Sequence, residues 1–131
     1  MTPEQRAARV RLVVLDVDGV LTDGRLYYGA QGEALKVFDV RDGHGIKMLL
    51  AHRIEVAILS ARSSPIVAQR ARELGIARVV QGRGDKSAGF RELLDDARIA
   101  ASDAAYIGDD LPDLPVLRSA GFAARWALYA G

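Results

Sequence analysis

The chain has 131 residues, half of them hydrophobic, with 27% charged residues, a formal net charge of +1 and no cysteine. That length suits one domain around one core, and the near-neutral charge removes the bulk field that would draw the chain to nucleic acid or an anionic membrane. Lack of cysteine excludes disulfides and cysteine-ligated zinc; the opening MTPEQRAARVRLVV has no signal core and no run reaches the ~18 apolar residues of a membrane span, so the expectation is one cytoplasmic domain over residues 1–131.

The first element is RLVVLDVDG, a short apolar run that ends in acids and glycine and reads as a buried strand with a functional C-terminal end. Residues 25–40, RLYYGAQGEALKVFDV, place Tyr27 and Tyr28 before GAQG and Leu35, Val37 and Phe38 after it, which predicts a hairpin. DGHGIKMLLAHRI carries Ile46, Leu49, Leu50 and Arg53 at helical spacing, and EVAILSA follows as a strand. In SSPIVAQRARELGI a cap at Ser63 or Ser64, Pro65 in the first turn and a stop at Gly75 delimit a helix. ARVVQ is a short strand, and DKSAGFRELLDDARI puts Phe90, Leu93, Leu94 and Ala97 on one helical face. The strand AAYIGDD again ends in acids, LPDLPVLRSAG is a short helix and FAARWAL a last strand. Strand alternating with helix predicts an α/β fold: a Rossmann-like parallel sheet with helices on both faces and a hairpin inserted after the first strand. In such sheets chemistry sits at the carboxyl ends of the strands.

Asp16 and Asp18 follow the first strand, and Asp109, Asp110 and Asp113 follow AAYIG. Were both strands central and parallel, these acids would meet at one edge, where like charges repel unless a cation sits among them. An all-oxygen donor set favours magnesium over zinc. Taken alone, a D-x-D is often a solvated turn and GDDLPD a helix cap; two acid clusters, each at a strand end, weaken that reading. Ser60 ends the EVAILS strand and Lys86 precedes a helix. A hydroxyl, an ammonium and a carboxylate–metal cluster together make a site for a phosphoryl dianion.

DVDGVLTDG, LSAR, DK and GDDLPD, in that order, resemble the four motifs of the haloacid dehalogenase-like phosphatases, a likeness that runs from about Arg11 to Gly121. It implies Asp16 as nucleophile and metal ligand, Asp18 as general acid/base with its main-chain carbonyl on Mg2+, Asp109 as a direct metal ligand, and Asp110 and Asp113 in support. Ser60 and Lys86 would bind and neutralise the phosphoryl group. Attack by Asp16 would form an aspartyl phosphate, splitting one hard step into two, while Asp18 protonates the departing alkoxide and then takes a proton from water.

Only a hairpin and one helix lie between Gly24 and EVAILS, so no cap domain fits and the site is open. This layout and DVRDGHGIK are similar to the 3-deoxy-D-manno-octulosonate 8-phosphate phosphatases, homotetramers of lipopolysaccharide sugar synthesis. That likeness implies substrate contacts from Asp39, Val40, Arg41, Asp42 and Gly43, from Lys47, Arg62 and Arg70, and from Lys86; arginine forks suit the carboxylate of a 2-keto sugar acid. It also implies a homotetramer through the hairpin 25–40, which would shield a neighbour's site. The family's C-terminal arm has no counterpart in GFAARWALYAG. Trp126 and Tyr129 are expected to be partly exposed there. The alternatives are a phosphatase of a nine-carbon 2-keto acid phosphate, an idle oligomerising relative, and a response-regulator receiver, whose acid pair and phosphoacceptor would stand in other places.

Overall fold

The structure, a computed structural model, describes residues 2–108 and 114–125, the side chains of 114, 115, 117 and 123–125 excepted. Asp109, Asp110, Asp113, Trp126 and Tyr129 lie outside the described residues.

An unforeseen first turn, α1 (Pro3–Ala8), is closed by a capping box in which Thr2 and Gln5 satisfy each other's backbone N–H. Strand β1 (Leu12–Leu15) is buried along its whole length, as a strand covered on both faces must be. The hairpin follows as β2 (Tyr27–Gly29) and β3 (Gly32–Leu35), ending five residues short of the expected Val40. Asp39 ends it: its carboxylate accepts from the Arg41 N–H and caps α2 (Val40–Ala51), so Val40–Gly43 are the first helical turn. Then come β4 (Glu55–Leu59), α3 (Pro65–Leu74), β5 (Arg78–Val80), α4 (Lys86–Ala97), β6 (Ala104–Gly108), α5 (Leu114–Ser119) and β7 (Phe122–Arg125). Gly75 stops α3 at φ +82°, as its place in the sequence predicts. The proposed serine cap differs: Ser64 holds the N-cap position, but its hydroxyl makes no cap bond and donates to Glu33 instead.

Five strands form one parallel sheet in the order β5-β4-β1-β6-β7, and the hairpin is a separate two-stranded sheet. Alternation along each strand splits the core in two. Val13, Leu15, Val56 and Ile58 pack against Ile46 of α2 and Val67, Ala71 and Leu74 of α3. Leu12, Val14, Ala57, Leu59 and Tyr106 pack against Phe90, Leu93 and Leu94 of α4 and Val116 of α5. Each buried Val, Leu, Ile or Phe among them contributes roughly 1.5–3 kcal/mol by leaving water. The helices therefore cover both faces, and no cap domain occurs among the described residues. β1 lies mid-sheet with its sequence successors to either side, the switch point where α/β sheets open a crevice at their strand ends.

Candidate active site

Asp16 is the first residue past β1. Its N–H donates to the Ile107 carbonyl at 3.0 Å, which extends the β1–β6 ladder by one step, and the residue is 7% exposed. Val17 then closes a turn in which its carbonyl accepts from Val20, Leu21 and Thr22. Gly19 sits there at φ +84°, a conformation costly for other residues. Thr22 Oγ1 accepts from the N–H groups of Gly19 and Gly24 and pins the loop. Asp18, at the tip of this turn, is half-buried.

Lys86 opens α4, yet its side chain is only 3% exposed. Its ammonium donates to Asp16 Oδ1 at 2.9 Å, to Tyr106 Oη at 3.3 Å and to the Leu59 carbonyl at 3.4 Å, tying together the ends of β1, β6 and β4. The helix can come that close because residue 89, one turn on, is glycine: a Cβ there would stand 2.6 Å from Leu59 Cδ1. A buried ammonium facing a buried carboxylate is tolerable because each partners the other and further polar groups surround them. Ser60, 3% exposed, takes up the end of β4, its N–H on the Val80 carbonyl and its Oγ accepting from the Arg62 N–H at 3.3 Å; the hydroxyl keeps its proton to donate.

Around this centre lie two groups of predicted binding residues. Arg62 reaches the hairpin, donating to Tyr28 Oη at 3.4 Å and standing 3.8 Å from Glu33 Oε2. Arg70 goes elsewhere: it lies 5.9 Å over the Phe38 ring, pairs with Glu73 and packs against Gly43. Asp39, Asp42, Gly43 and Arg70 line one hollow with Phe38 and Leu21. A neighbouring cleft of about 620 Å³ joins Val37–Asp42 to Thr22 and Asp23 of the acid loop. Asp39 and Arg41 form a two-pronged pair that holds the Asp39 carboxyl below its usual range, whereas burial and then Asp39 push Asp42 up. Val40 and Lys47 are exposed. The described residues thus set Asp16 and Lys86 in contact beside the strand end that carries Ser60; of the rim residues, Arg62 lies against the hairpin and Arg70 packs beside the Asp39–Gly43 turn.

Three participants have no place in the expectations from sequence. Tyr106 is one, though a buried tyrosine in a mostly buried strand needs a partner for its hydroxyl, and that need is a readable signal. Lys36 and Glu33 are the others. Lys36 Nζ lies 2.8 Å from Asp18 Oδ1 and 3.1 Å from Glu33 Oε2. Burial works against its charge, but the two carboxylates outweigh burial and raise its pKa. The hairpin, expected to serve a neighbour's site, is thereby tied to the acid loop of its own chain.

An open parallel sheet whose central strand ends in an acid pair, with a serine on the neighbouring strand end and a buried lysine reaching in from the start of a helix, defines the class of haloacid dehalogenase-like hydrolases. No family model matches the chain. It is 47% identical over 119 residues to 3-deoxy-D-manno-octulosonate 8-phosphate phosphatase of Yersinia pestis, covering 91% of this chain but 64% of that protein, so it spans somewhat less than two-thirds of that relative's length. Two solved structures are similar: the cobalt-bound deoxy-D-mannose-octulosonate 8-phosphate phosphatase of Haemophilus influenzae (46% identity, TM-score 0.90, 92% of this chain and 71% of that one) and the Moraxella catarrhalis enzyme in complex with magnesium, phosphate and KDO (43% identity, TM-score 0.90, 94% and 71%). The chain belongs to the 3-deoxy-D-manno-octulosonate 8-phosphate phosphatase family.

Proposed function

We propose that this chain is a magnesium-dependent phosphatase that hydrolyses 3-deoxy-D-manno-octulosonate 8-phosphate through an aspartyl phosphate. The observation that carries the reading is the Asp16–Lys86 pair at the end of the central strand, held by Tyr106 and the Leu59 carbonyl. The Moraxella relative with magnesium, phosphate and KDO bound supports the substrate and the metal.

The donors suit a hard cation. Asp16 offers a carboxylate and Asp18 a main-chain carbonyl at a buried strand end, with no nitrogen or sulfur ligand implied, and Asp109 would complete the set. Bound there, magnesium supplies positive charge against the phosphoryl oxygens.

The remaining chemistry belongs to the chain. An Asp16 carboxylate oxygen attacks phosphorus while the bond to the sugar oxygen breaks, and Asp18 gives its proton to that departing oxygen. The Asp18 carboxylate then takes a proton from the water that attacks phosphorus, which releases phosphate and restores Asp16. Lys86 holds the Asp16 oxygen in line and offsets charge on the phosphoryl group, and the Ser60 hydroxyl donates to it. At the rim, Arg62 and Arg70, Lys47 and Asp39–Gly43 recognise the sugar acid, with a guanidinium fork on its carboxylate. Leu26, Tyr28, Leu35, Val37 and Val40 are large apolar side chains exposed on or beside the hairpin, which supports assembly into a homotetramer through it. No helix among the described residues is long and apolar enough to cross a membrane, in keeping with work in the cytoplasm.

The reading is tested by measuring phosphate release from a panel of sugar acid phosphates with and without magnesium. The eight-carbon 2-keto acid phosphate should give the highest kcat/KM. A higher value for a nine-carbon acid moves the substrate; no magnesium-dependent release from any ends the proposal.

A further inference from the structure

Outside the Asp16–Lys86 pair, a second polar network among the described residues runs from the hairpin to the two loops beside it. Lys36, just past the end of β3, is 3% exposed at its side chain, against 29% for Asp18 and 20% for Glu33. An ammonium that deep is costly unless opposite charge meets it, and here two carboxylates do. Glu33 is itself held: its Oε1 accepts from Ser64 Oγ at 2.6 Å. Ser64 is clamped in turn, its N–H on Gln81 Oε1 at 2.9 Å and its carbonyl accepting from Gln81 Nε2 at 3.2 Å. The chain of contacts therefore ends on a fixed backbone at the exit of β5, and begins on the carboxylate of Asp18.

We propose that Lys36 is a positioning residue for the hydrolysis: it grips Asp18 by Oδ1 and so aims Oδ2 first at the departing sugar oxygen, which takes its proton, and then at the attacking water, which supplies the next one, with Glu33 as its anchor. The inference rests on the phosphatase reading and deepens it. Docking of the hairpin alone would be served by Glu33 on Ser64; the shorter of the two Lys36 contacts, 2.8 Å against 3.1 Å, goes to the acid loop. Lys36 transfers no proton. A carboxyl group that must act twice, first as acid and then as base, gains from having one oxygen held while the other does the exchange.

The test compares Lys36→Met, Lys36→Arg and Glu33→Gln with the unaltered protein on two substrates, the sugar acid phosphate and p-nitrophenyl phosphate. Nitrophenolate leaves without a proton, so the first chemical step on that ester does not need Asp18. Lys36→Met should lower kcat on the sugar phosphate roughly 10- to 100-fold, part of the 10²–10⁴ that proton transfer supplies, with KM within about two-fold. On p-nitrophenyl phosphate it should keep a rapid burst of one nitrophenolate per site, followed by slow turnover. Lys36→Arg should recover most of the loss, and Glu33→Gln should show the same bias more weakly. Thermal unfolding checks that each variant is folded; should Lys36→Met not fold, the direction seen in Lys36→Arg and Glu33→Gln decides. Equal loss on both esters without a burst, a change in KM alone, or unaltered rates overturns the proposal while leaving an active phosphatase. An unaltered protein that releases no phosphate overturns the phosphatase reading and this inference with it.

Discussion

Asp16 and Ser60 stand at parallel strand ends that lie side by side, and Lys86 reaches them from the first turn of α4, whereas Lys36, Arg62 and Arg70 are placed by contacts between long side chains. Lys86 shows what the first kind of placement demands: its ammonium bridges residues from β1, β4 and β6, and a glycine in its own helix makes the room. The rim shows the second kind. There Arg62 and Arg70 follow the same strand, yet one turns to Tyr28 and Glu33 and the other to Phe38, Glu73 and Gly43. A rigid centre suits chemistry that tolerates little misplacement; a rim of adjustable side chains suits recognition.

The largest expected effect strikes the centre. Asp16→Asn should cut turnover on the order of 10³-fold or more while the protein stays folded, read by steady-state phosphate release together with circular dichroism. Lys86→Met should lower kcat by roughly 10²-fold. It should also lower stability by about 3–5 kcal/mol, because it takes the ammonium from a buried carboxylate. Loss of activity with no change in the denaturation midpoint would break the claim that this pair is structural as well as catalytic.

The rim should respond differently. Gly43→Ala would set a Cβ 2.5 Å from Arg70 Nη2 and 3.0 Å from Leu74 Cδ2, so Arg70 must move. We expect KM for the sugar acid phosphate to rise several-fold with kcat nearly kept, at a stability cost of about 1–3 kcal/mol. A fall in kcat alone would erase the contrast between rim and centre. The smallest effect concerns acid. The bond from Ser64, aided by Lys36 and opposed by partial burial, lowers the pKa of Glu33. A carboxyl with a lowered folded pKa contributes its stability above its unfolded value, near pH 4, and loses it as pH falls through the folded one. Thermal midpoints below about pH 4 should therefore drop, and Glu33→Gln should flatten that part of the curve.

The places of Asp16 and Ser60 at strand ends and of Lys86 at a helix start were readable because apolar runs, Gly and Pro mark where strands and helices stop and start. The hairpin's tips and the Gly75 stop were readable for the same local reasons. The Glu33–Lys36 clasp was not. Residues three apart on a strand should face opposite ways, but β3 ends at Leu35, and past that point alternation says nothing about where Lys36 goes. Ser64 misled for a related reason: its position is that of a cap, but a carboxylate from the hairpin competes for its hydroxyl and wins. Helix α2 starts at Val40, two residues before the expected segment that opens at Asp42, because a cap, Asp39, and not periodicity decides where a helix begins.

The most direct test of the account is to catch the covalent intermediate. Asp18→Asn protein, mixed with magnesium and p-nitrophenyl phosphate and quenched in acid, should carry one phosphoryl group on the peptide that contains Asp16, located by mass spectrometry. A phosphoryl group on any other residue, or hydrolysis by the unaltered protein with no acyl phosphate trapped in either form, would contradict it.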